Sequence, residues 1–372
     1  MEEDLCYIIS LMSMKGIGSA ITRHLISEFG SAKAVFEADS KLLQKLGNVG
    51  NSIISQRNNS ELLDKAYSEI EFMKGHNIKA LVYGQKDYPS RLLDCPDAPA
   101  LLFYLGSANL NSSKIISIVG TRSATQYGID NVRNFVEGIK EYFPEAIIVS
   151  GLALGIDISS HKAALENGLP TIGVVAHGLD RIYPSNHRTI AKQMVMEGGG
   201  LLSEYTIGKD PERGNFLARN RIIAGLADAT IIAESKASGG SLVTASISLD
   251  YGRDVFAFPG RVGDTRSEGC NRLIRLNRAG LITSAQDFIE SMNWQPSSQK
   301  QISVQHTINF EEDHLSPQDR LIIDTLRDRG DLRVSQLSDI TGINHSTLIE
   351  SLLDLEMEGK IRNCPGGVYQ LR

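Results

Sequence analysis

The 372-residue sequence has few cysteines, and they are spaced too widely for a disulfide framework or a zinc site. The four cysteines, Cys6, Cys95, Cys270 and Cys364, include no C-x-x-C pair. The sequence also lacks any run of about 18 apolar residues, and its first residues lack the basic start of a secretion signal. We therefore expect a cytoplasmic protein with no membrane span, no bound metal and no cofactor.

An excess of positive charge is missing as well. The chain has 38 Lys and Arg residues against 44 Asp and Glu residues, which gives a net charge of −6, whereas nucleic-acid-binding proteins are usually basic. Its charged fraction of 22% and apolar fraction of 41% are those of an ordinary globular protein, and its length suggests two or three domains. A nucleic-acid function therefore needs support from local sequence features.

Residues 1–76 predict a small helical domain. Its apolar residues recur at helical spacing, and glycine turns at 16–18 and 47–50 separate the helices. Paired helices joined by such turns resemble the helix-hairpin-helix or SAM-like arrangement, whose turn amides can hold a backbone phosphate. In the alternative interpretation the glycines only permit tight turns in a helical bundle.

Three further regions follow. Residues 77–291 alternate short apolar runs with amphipathic stretches, which predicts βαβ units and a mostly parallel, doubly wound α/β sheet. The predicted strands are 78–83, 115–119, 146–149, 171–176, 201–205, 229–233, 255–258 and 281–283. Residues 292–315 are rich in Gln and Ser and predict a linker. Residues 316–372 predict three helices followed by a strand pair, the outline of a winged helix.

Four loops of the central region place glycine, hydroxyl or basic residues directly after predicted strands, near positions 120, 151, 213 and 239. In a doubly wound sheet these loops converge at one edge, where ligands bind. Glycines let backbone amides approach a phosphate, and the N-terminus of a following helix attracts anions. The sequence therefore predicts an anion-binding edge.

The third loop has the highest density of arginines. Phe216 and the Arg-Asn-Arg run at 219–221 fall within two turns of a predicted helix. An aromatic ring beside guanidinium groups can stack a base while its neighbours hold phosphates. Alternatively, Phe216 belongs to the core and the arginines pair with Glu204 or Glu212.

Seven blocks between about residues 78 and 285 resemble the DNA-processing protein DprA (Smf) family. They are IVGTR at 118–122, SGLALGID at 150–157, GLDRIYP at 178–184, LSEY at 202–205, RNRIIAGL at 219–226, GSLVTA at 240–245 and GRDVFAFPG at 252–260. Their order and spacing fit the family. The helical N-terminal region and the winged-helix-like C-terminal region also match members that carry both extensions.

The resemblance implies an extended Rossmann-like fold without catalytic activity, a homodimer, a pocket for single-stranded DNA, and delivery of the recombinase RecA onto incoming strands in natural transformation. Carried over by position, or placed in the same loops and basic lining, the DNA contacts would be Gly120, Arg122, Ser123, Gly151, Lys162, Arg188, Arg213, Phe216, Arg219, Asn220, Arg221, Gly239, Gly240 and Ser241. Many members carry a basic residue where Leu154 and Ser185 stand, so Lys162 and Arg188 are the candidates that compensate. The acidic total then favours a narrow pocket for a single strand over a broad basic face for duplex DNA.

Two other functions remain open. Related Rossmann-like folds include nucleotide phosphoribohydrolases, but the stretch at 236–244 lacks the proline and the third glycine of their site. His161 has no evident Ser or Cys partner, so no catalytic triad is predicted. In the second alternative function, the protein is a structural adaptor that uses its helical N- and C-terminal regions, and the central pocket has no function.

The C-terminal region predicts contact with protein rather than with duplex DNA. Its candidate recognition helix, at 344–358, contains no Lys or Arg but has Glu350, Asp354, Glu356 and Glu358. Phosphates would repel so acidic a helix. We therefore expect it to contact a protein, or to lie across the basic pocket as an autoinhibitor.

Overall fold

A computed structural model describes residues 2–295, 316–364 and 366–371. The N-terminal part is helical, as its periodicity predicts. Its helices are α1 (Glu2–Ser13), α2 (Ser19–Phe29), α3 (Ala32–Glu37), α4 (Ser40–Gln44), α5 (Asn48–Gln56) and α6 (Ser60–Gly75). They enclose an apolar core that includes Leu11, Leu25 and Ile53.

The glycine turns of this helical part have a structural basis. Gly16 and Gly47 adopt φ values of +84° and +62°, which other residues rarely adopt. A Cβ atom on Gly50 would lie 1.7 Å from the carbonyl oxygen of Leu43, so α5 packs closely against the end of α4. Backbone geometry and close packing therefore account for Gly16, Gly47 and Gly50 without a bound phosphate.

A nine-stranded sheet forms the centre of the molecule. Its strands are β1 (Lys79–Val82), β2 (Leu101–Gly106), β3 (Ile115–Val119), β4 (Ile147–Ser150), β5 (Thr171–Val174), β6 (Gly200–Ser203), β7 (Ala229–Ile232), β8 (Asp254–Ala257) and β9 (Gly280–Leu281). The strand order is β1-β2-β6-β5-β4-β3-β7-β8-β9, and only the β1–β2 and β2–β6 pairs are antiparallel. The predicted mostly parallel α/β sheet is confirmed; β2 was not predicted.

Helices cover both faces of this sheet, which explains why every residue of β3 to β7 is buried. They are α7 (Ser90–Leu93), α8 (Gln126–Tyr142), α9 (Ile156–Glu166), α10 (Arg188–Met196), α11 (Arg213–Leu226), α12 (Gly240–Asp250), α13 (Glu268–Arg275) and α14 (Ala285–Ser291). The strand order reverses between β3 and β7. In such sheets this switch point opens a crevice at the carboxyl ends of the strands.

The first residues of the predicted linker belong to the central core. Met292 and Trp294 are buried, and the ring of Trp294 packs against Phe143 and Phe288. The linker was therefore predicted to begin too early, because its polar composition hid two apolar anchors. Residues 296–315 of that prediction lie outside the described residues.

The C-terminal part contains the three predicted helices and the predicted strand pair. Its elements are α15 (Pro317–Arg329), β10 (Leu332–Arg333), α16 (Val334–Thr341), α17 (His345–Met357), β11 (Ile361–Cys364) and β12 (Val368–Leu371). The three strands form an antiparallel sheet in the order β10-β12-β11. No helix among the described residues is both long and apolar enough to cross a membrane.

The C-terminal part contacts the amino edge of the central sheet. Nη2 of Arg333 lies 2.5 Å from Oδ1 of Asp228, the residue that precedes β7. Asp228 is also held by Arg91 through two hydrogen bonds of 2.9 and 2.8 Å. The predicted pocket lies at the opposite, carboxyl edge, so this contact does not fit the expectation that the acidic helix covers the pocket.

Candidate functional site

An open cleft of about 1110 Å³ lies at the carboxyl edge, between the loops after β3 and β7 and the first turns of α11 and α12. Nine of the predicted DNA contacts line it. They are Gly120, Arg122, Arg213, Phe216, Arg219, Asn220, Gly239, Gly240 and Ser241. Loops that are distant in the sequence therefore meet at the switch point, as the topology requires.

Planar side chains form one wall of the cleft. The guanidinium carbon of Arg122 lies 5.1 Å from the ring centroid of Phe216. The ring centroid of Tyr183 lies 5.9 Å from that of Phe216, and the two rings are tilted by 55°. Phe216 is half-buried and Tyr183 is 49% exposed. These rings leave aromatic surface open to a ligand.

Arg219 lies at the buried floor of the cleft, where 4% of the residue is exposed. It donates to the carbonyl oxygen of Val174, while its Nε has no hydrogen-bond partner among the described residues. Burial lowers the pKa of Arg219, and the Asp157 carboxylate opposes this effect. Burial likewise raises the pKa of Asp157, opposed by Arg219. The floor therefore holds a desolvated cation beside a desolvated acid.

Gly151 lies behind this floor and does not line the cleft. A Cβ atom there would lie 2.3 Å from Oδ2 of Asp157 and 2.6 Å from Nη1 of Arg219. A side chain at Gly151 would displace the arginine. Glycine is therefore needed at position 151 for packing against Asp157 and Arg219, and Gly151 itself does not face the cleft.

Arg221 is outside the cleft, in the arrangement that the sequence left open as an alternative. Its Nη2 lies 2.6 Å from Oε1 of Glu204, and its Nη1 donates to the carbonyl oxygen of Asp97 over 2.7 Å. The side chains of Arg221 and Glu204 are 15% and 11% exposed. The hydroxyl of Ser19, at the start of α2, also donates to Glu204. Arg221 therefore belongs to the contact between the helical part and the central sheet.

Three other predicted contacts are exposed but do not line the cleft: Ser123, Lys162 and Arg188. The hydroxyl of Ser123 lies 3.3 Å from Oγ1 of Thr121, within its own loop. Lys162 is on α9 and Arg188 begins α10. Both lie outside the cleft walls, so neither replaces a basic lining residue at Leu154 or Ser185.

Among the basic and aromatic residues of the cleft, two were missing from the predicted contacts. Lys236 lies in the loop after β7, and its position before the two glycines was the available signal. Tyr183 lies in the GLDRIYP block, where its ring neighbours Phe216 only through tertiary packing. With Lys236, four basic residues line the cleft, namely Arg122, Arg213, Arg219 and Lys236.

The N-termini of α8 and α12, which follow two of the predicted anion-binding loops, differ in whether a side chain already occupies them. Gly239 caps α12 without a side-chain hydrogen bond, and both Gly239 and Gly240 face the cleft. At α8, Glu234 fills the corresponding position. Its carboxylate accepts hydrogen bonds from the amide and the hydroxyl of Thr125, over 2.8 and 2.9 Å. Of these two ends, only that of α12 is therefore open to an anion in the cleft.

His161 has structural hydrogen bonds on both ring nitrogens. Nδ1 lies 2.7 Å from Oγ1 of Thr171, and Nε2 lies 2.5 Å from the carbonyl oxygen of Gly151. Burial lowers the pKa of His161 to about 4, so the ring is neutral at neutral pH.

Within residues 2–295, 316–364 and 366–371, no group of three or more His, Cys, Asp or Glu side chains is arranged to hold a metal ion. The cleft is suited to base stacking and phosphate contact.

Comparisons with known sequences identify related proteins that process DNA or mediate its recombination. Residues 79–293 match the family model described as DNA recombination-mediator protein A. DNA processing protein DprA of Streptococcus pneumoniae is 40% identical over 227 residues, which cover 61% of this chain and 78% of that protein. Protein Smf of Escherichia coli is 34% identical over 295 residues, which cover 77% of this chain and 75% of that protein.

Two solved structures are similar in fold. The X-ray structure of DprA from Streptococcus pneumoniae has a TM-score of 0.60 and 33% identity, and the match covers 76% of this chain and 95% of that one. A structure that describes the single-stranded DNA binding mode of DprA from Helicobacter pylori has a TM-score of 0.52 and 31% identity, with coverage of 58% and 95%. The family model spans more than half of the sequence and the sequence relatives agree with it, so the chain belongs to the DNA recombination-mediator protein A (DprA/Smf) family.

Proposed function

We propose that this protein binds single-stranded DNA in the cleft and loads the recombinase RecA onto incoming DNA during natural transformation, as a homodimer. The observation that carries the proposal is the stack of Arg122 on Phe216 at an open cleft with four basic side chains. The related Helicobacter pylori protein, whose structure describes single-stranded DNA binding, supports the same ligand here.

The cleft favours unpaired bases for a physical reason. A base that stacks on an aromatic side chain contributes about 1–3 kcal/mol, and every base offers a flat face for this contact. In a duplex the bases are already stacked on each other and their faces are not accessible. Phe216 and Tyr183 can therefore accept a base only from a single strand, while Arg122 and Lys236 neutralise its phosphates.

An electrophoretic mobility shift with matched single-stranded and double-stranded DNA, with and without RecA, tests the proposal. We expect a shift with the single strand, a much weaker one with the duplex, and a slower complex when RecA is added. Arg122→Glu should weaken single-strand binding strongly, because it places an acid in the open wall. Equal affinity for both DNA forms, or unchanged binding by Arg122→Glu at low salt, would contradict the proposal.

We further propose that the cleft performs no catalysis. Supporting observations are the buried, neutral His161 and the sequence at 236–244, which departs from the site of nucleotide phosphoribohydrolases. Incubation with nucleoside monophosphates should release no free base. Release that is lost in Arg122→Glu would identify an enzyme instead.

The C-terminal part has a protein-contact role in this proposal. Its helix α17 exposes Ile349, Leu353 and Met357 in one row, four residues apart, which places them on one side of the helix. Exposed Glu350 and Asp354 flank the row. An apolar row with acidic neighbours suits a basic protein surface and repels a phosphate backbone.

A further inference from the structure

The N-terminus of α8 occupies the position at which doubly wound folds commonly bind a nucleotide phosphate. It follows β3, the strand where the order of the sheet reverses. Backbone amides at such a helix start, together with the helix dipole, form an anion site. In this protein that position is already taken by a side chain from the neighbouring strand end.

The occupying group is the carboxylate of Glu234, which follows β7 and is 2% exposed. Oε2 accepts from the amide of Thr125 over 2.8 Å, and Oε1 accepts from the Thr125 hydroxyl over 2.9 Å. Oγ1 of Thr125 in turn accepts from the amide of Gly128 in the first turn of α8. The carboxylate thus accepts hydrogen bonds from two donors at the helix start, the amide and the hydroxyl of Thr125, which are then not available to a phosphate.

Glycines make room for Glu234. A Cβ atom on Gly128 would lie 2.6 Å from Oε2 of Glu234, and a Cβ atom on Gly120 would lie 2.9 Å from the Glu234 carbonyl oxygen. That carbonyl accepts from the amide of Thr121 over 2.8 Å. Gly128 therefore makes room for the carboxylate, whereas Gly120 makes room for the side chain of Ile156 and the backbone carbonyl of Glu234.

The negative charge of Glu234 opposes phosphate binding at the N-terminus of α8, in addition to the space that its side chain fills. The Glu234 carboxylate accepts one backbone amide and one hydroxyl, both from Thr125 at the start of α8. A phosphate that approached the same amides would meet a negative charge within a few ångströms, in surroundings that screen it poorly.

We propose that Glu234 is an internal anion that keeps phosphate off the N-terminus of α8, so that the cleft excludes nucleotide cofactors and free mononucleotides. Phosphate contacts are then confined to the open side, where Arg122, Lys236 and the Gly239–Gly240 end of α12 face the cleft. A polymer can combine several such phosphate contacts with base stacking. A mononucleotide cannot, and it also lacks the phosphate contact with the N-terminus of α8. The polymer part of this inference rests on the proposed function; the exclusion of phosphate from α8 does not.

Removal of the carboxylate tests the inference. Glu234→Ala frees both Thr125 donors and the volume between them, while Glu234→Gln keeps the volume filled. Asp287 is a matched control, because its carboxylate also accepts backbone amides at a helix start, on α14 and away from the cleft. The midpoint of thermal unfolding is measured in phosphate and in chloride at equal ionic strength, for wild type, Glu234→Ala, Glu234→Gln and Asp287→Ala.

We expect phosphate to raise the midpoint of Glu234→Ala by about 4 °C when its concentration is about ten times the dissociation constant. The other three proteins should respond by less than a quarter of that. AMP should also give a binding isotherm by calorimetry with Glu234→Ala alone. An equal phosphate response in wild type and Glu234→Ala would overturn the inference, because a merely structural carboxylate leaves no anion site when it is removed.

Folding of the variant is part of the test. If Glu234→Ala is unfolded in chloride but folds in phosphate, the anion has replaced the carboxylate, as the inference requires. If it is unfolded in both, and Glu234→Ser folds without a phosphate response, the inference is wrong. Single-strand affinity of the wild type is measured alongside: its absence would refute the proposed function while leaving the phosphate result to decide the role of Glu234.

Discussion

Arg122 and Arg221 should respond in opposite ways to the same substitution, although the sequence placed both in the DNA pocket. Arg122 is exposed at the cleft and stacks on Phe216. Arg221 is 15% exposed and paired with Glu204 outside the cleft. Arg122→Ala should therefore weaken DNA binding and leave stability nearly unchanged, whereas Arg221→Ala should lower stability and leave the salt dependence of binding unchanged.

The magnitudes follow from these contacts. A hydrogen bond from a guanidinium to a phosphate contributes about 1.5–3 kcal/mol, so Arg122→Ala should raise the dissociation constant roughly 10- to 150-fold at low salt. It should also reduce the slope of log affinity against log salt by about 0.7, the value for one phosphate of a single strand. Arg221→Ala leaves Glu204 with the Ser19 hydroxyl but no cation. We expect a loss of roughly 2 kcal/mol and a fall in the unfolding midpoint of roughly 4–8 °C.

Fluorescence anisotropy with a labelled oligothymidylate, measured over a salt series well below the unfolding midpoint, provides the affinities and the slopes. Thermal unfolding followed by circular dichroism provides the stabilities. The reasoning is refuted if Arg221→Ala changes the salt slope as much as Arg122→Ala does. It is also refuted if Arg122→Ala changes neither the affinity nor the slope.

Three further predictions concern other parts of the chain. Phe216→Ala should weaken single-strand binding by about 1–3 kcal/mol without a change in salt slope, because it removes a stacking surface and no charge; a changed slope in the anisotropy titration would argue against stacking. Burial raises the pKa of Glu69 to about 7 in the folded protein, where its carboxylate accepts from the amide of Ile207. The folded state therefore binds this proton more tightly than the unfolded state, and the wild type should lose stability between about pH 5 and about pH 8 relative to Glu69→Gln in urea titrations; a pH-independent difference would contradict the burial argument. Deletion of residues 316–372 should leave single-strand binding intact, since the C-terminal part contacts the opposite edge of the sheet; loss of binding in a gel shift would show that the acidic helix or its neighbours contact DNA.

The sheet could be predicted from the sequence because its central strands, β3 to β7, are buried on both faces and therefore consist of short apolar runs. β2 was missed although its sequence, LLFYLG, is equally apolar. It pairs antiparallel with β6 and β1, outside the strand–helix alternation that identified the other strands. The length of the central region was underestimated because Trp294 is anchored in the core by an aromatic contact with Phe143, which is far away in the sequence.

The candidate site could be predicted only in part, because the sequence shows which residues are near each other but not which way they face. On α11, residues 213, 216, 217, 220 and 223 recur at helical spacing and line the cleft, together with Arg219 at its floor. Arg221 is one residue further around the helix and meets Glu204 instead. That spacing was a usable signal. The contact of Glu234 with Thr125 was not, since it joins loops 109 residues apart.

The most direct test of the account is the place where a single strand contacts the protein. A single-stranded oligonucleotide that contains iodouracil is bound to the full chain and irradiated, and the crosslinked peptides are identified by mass spectrometry. The account predicts crosslinks at Phe216 or Tyr183, the two aromatic rings of the cleft wall. Crosslinks confined to α17 or to the glycine turns of the N-terminal helices, with none in the cleft, would contradict it.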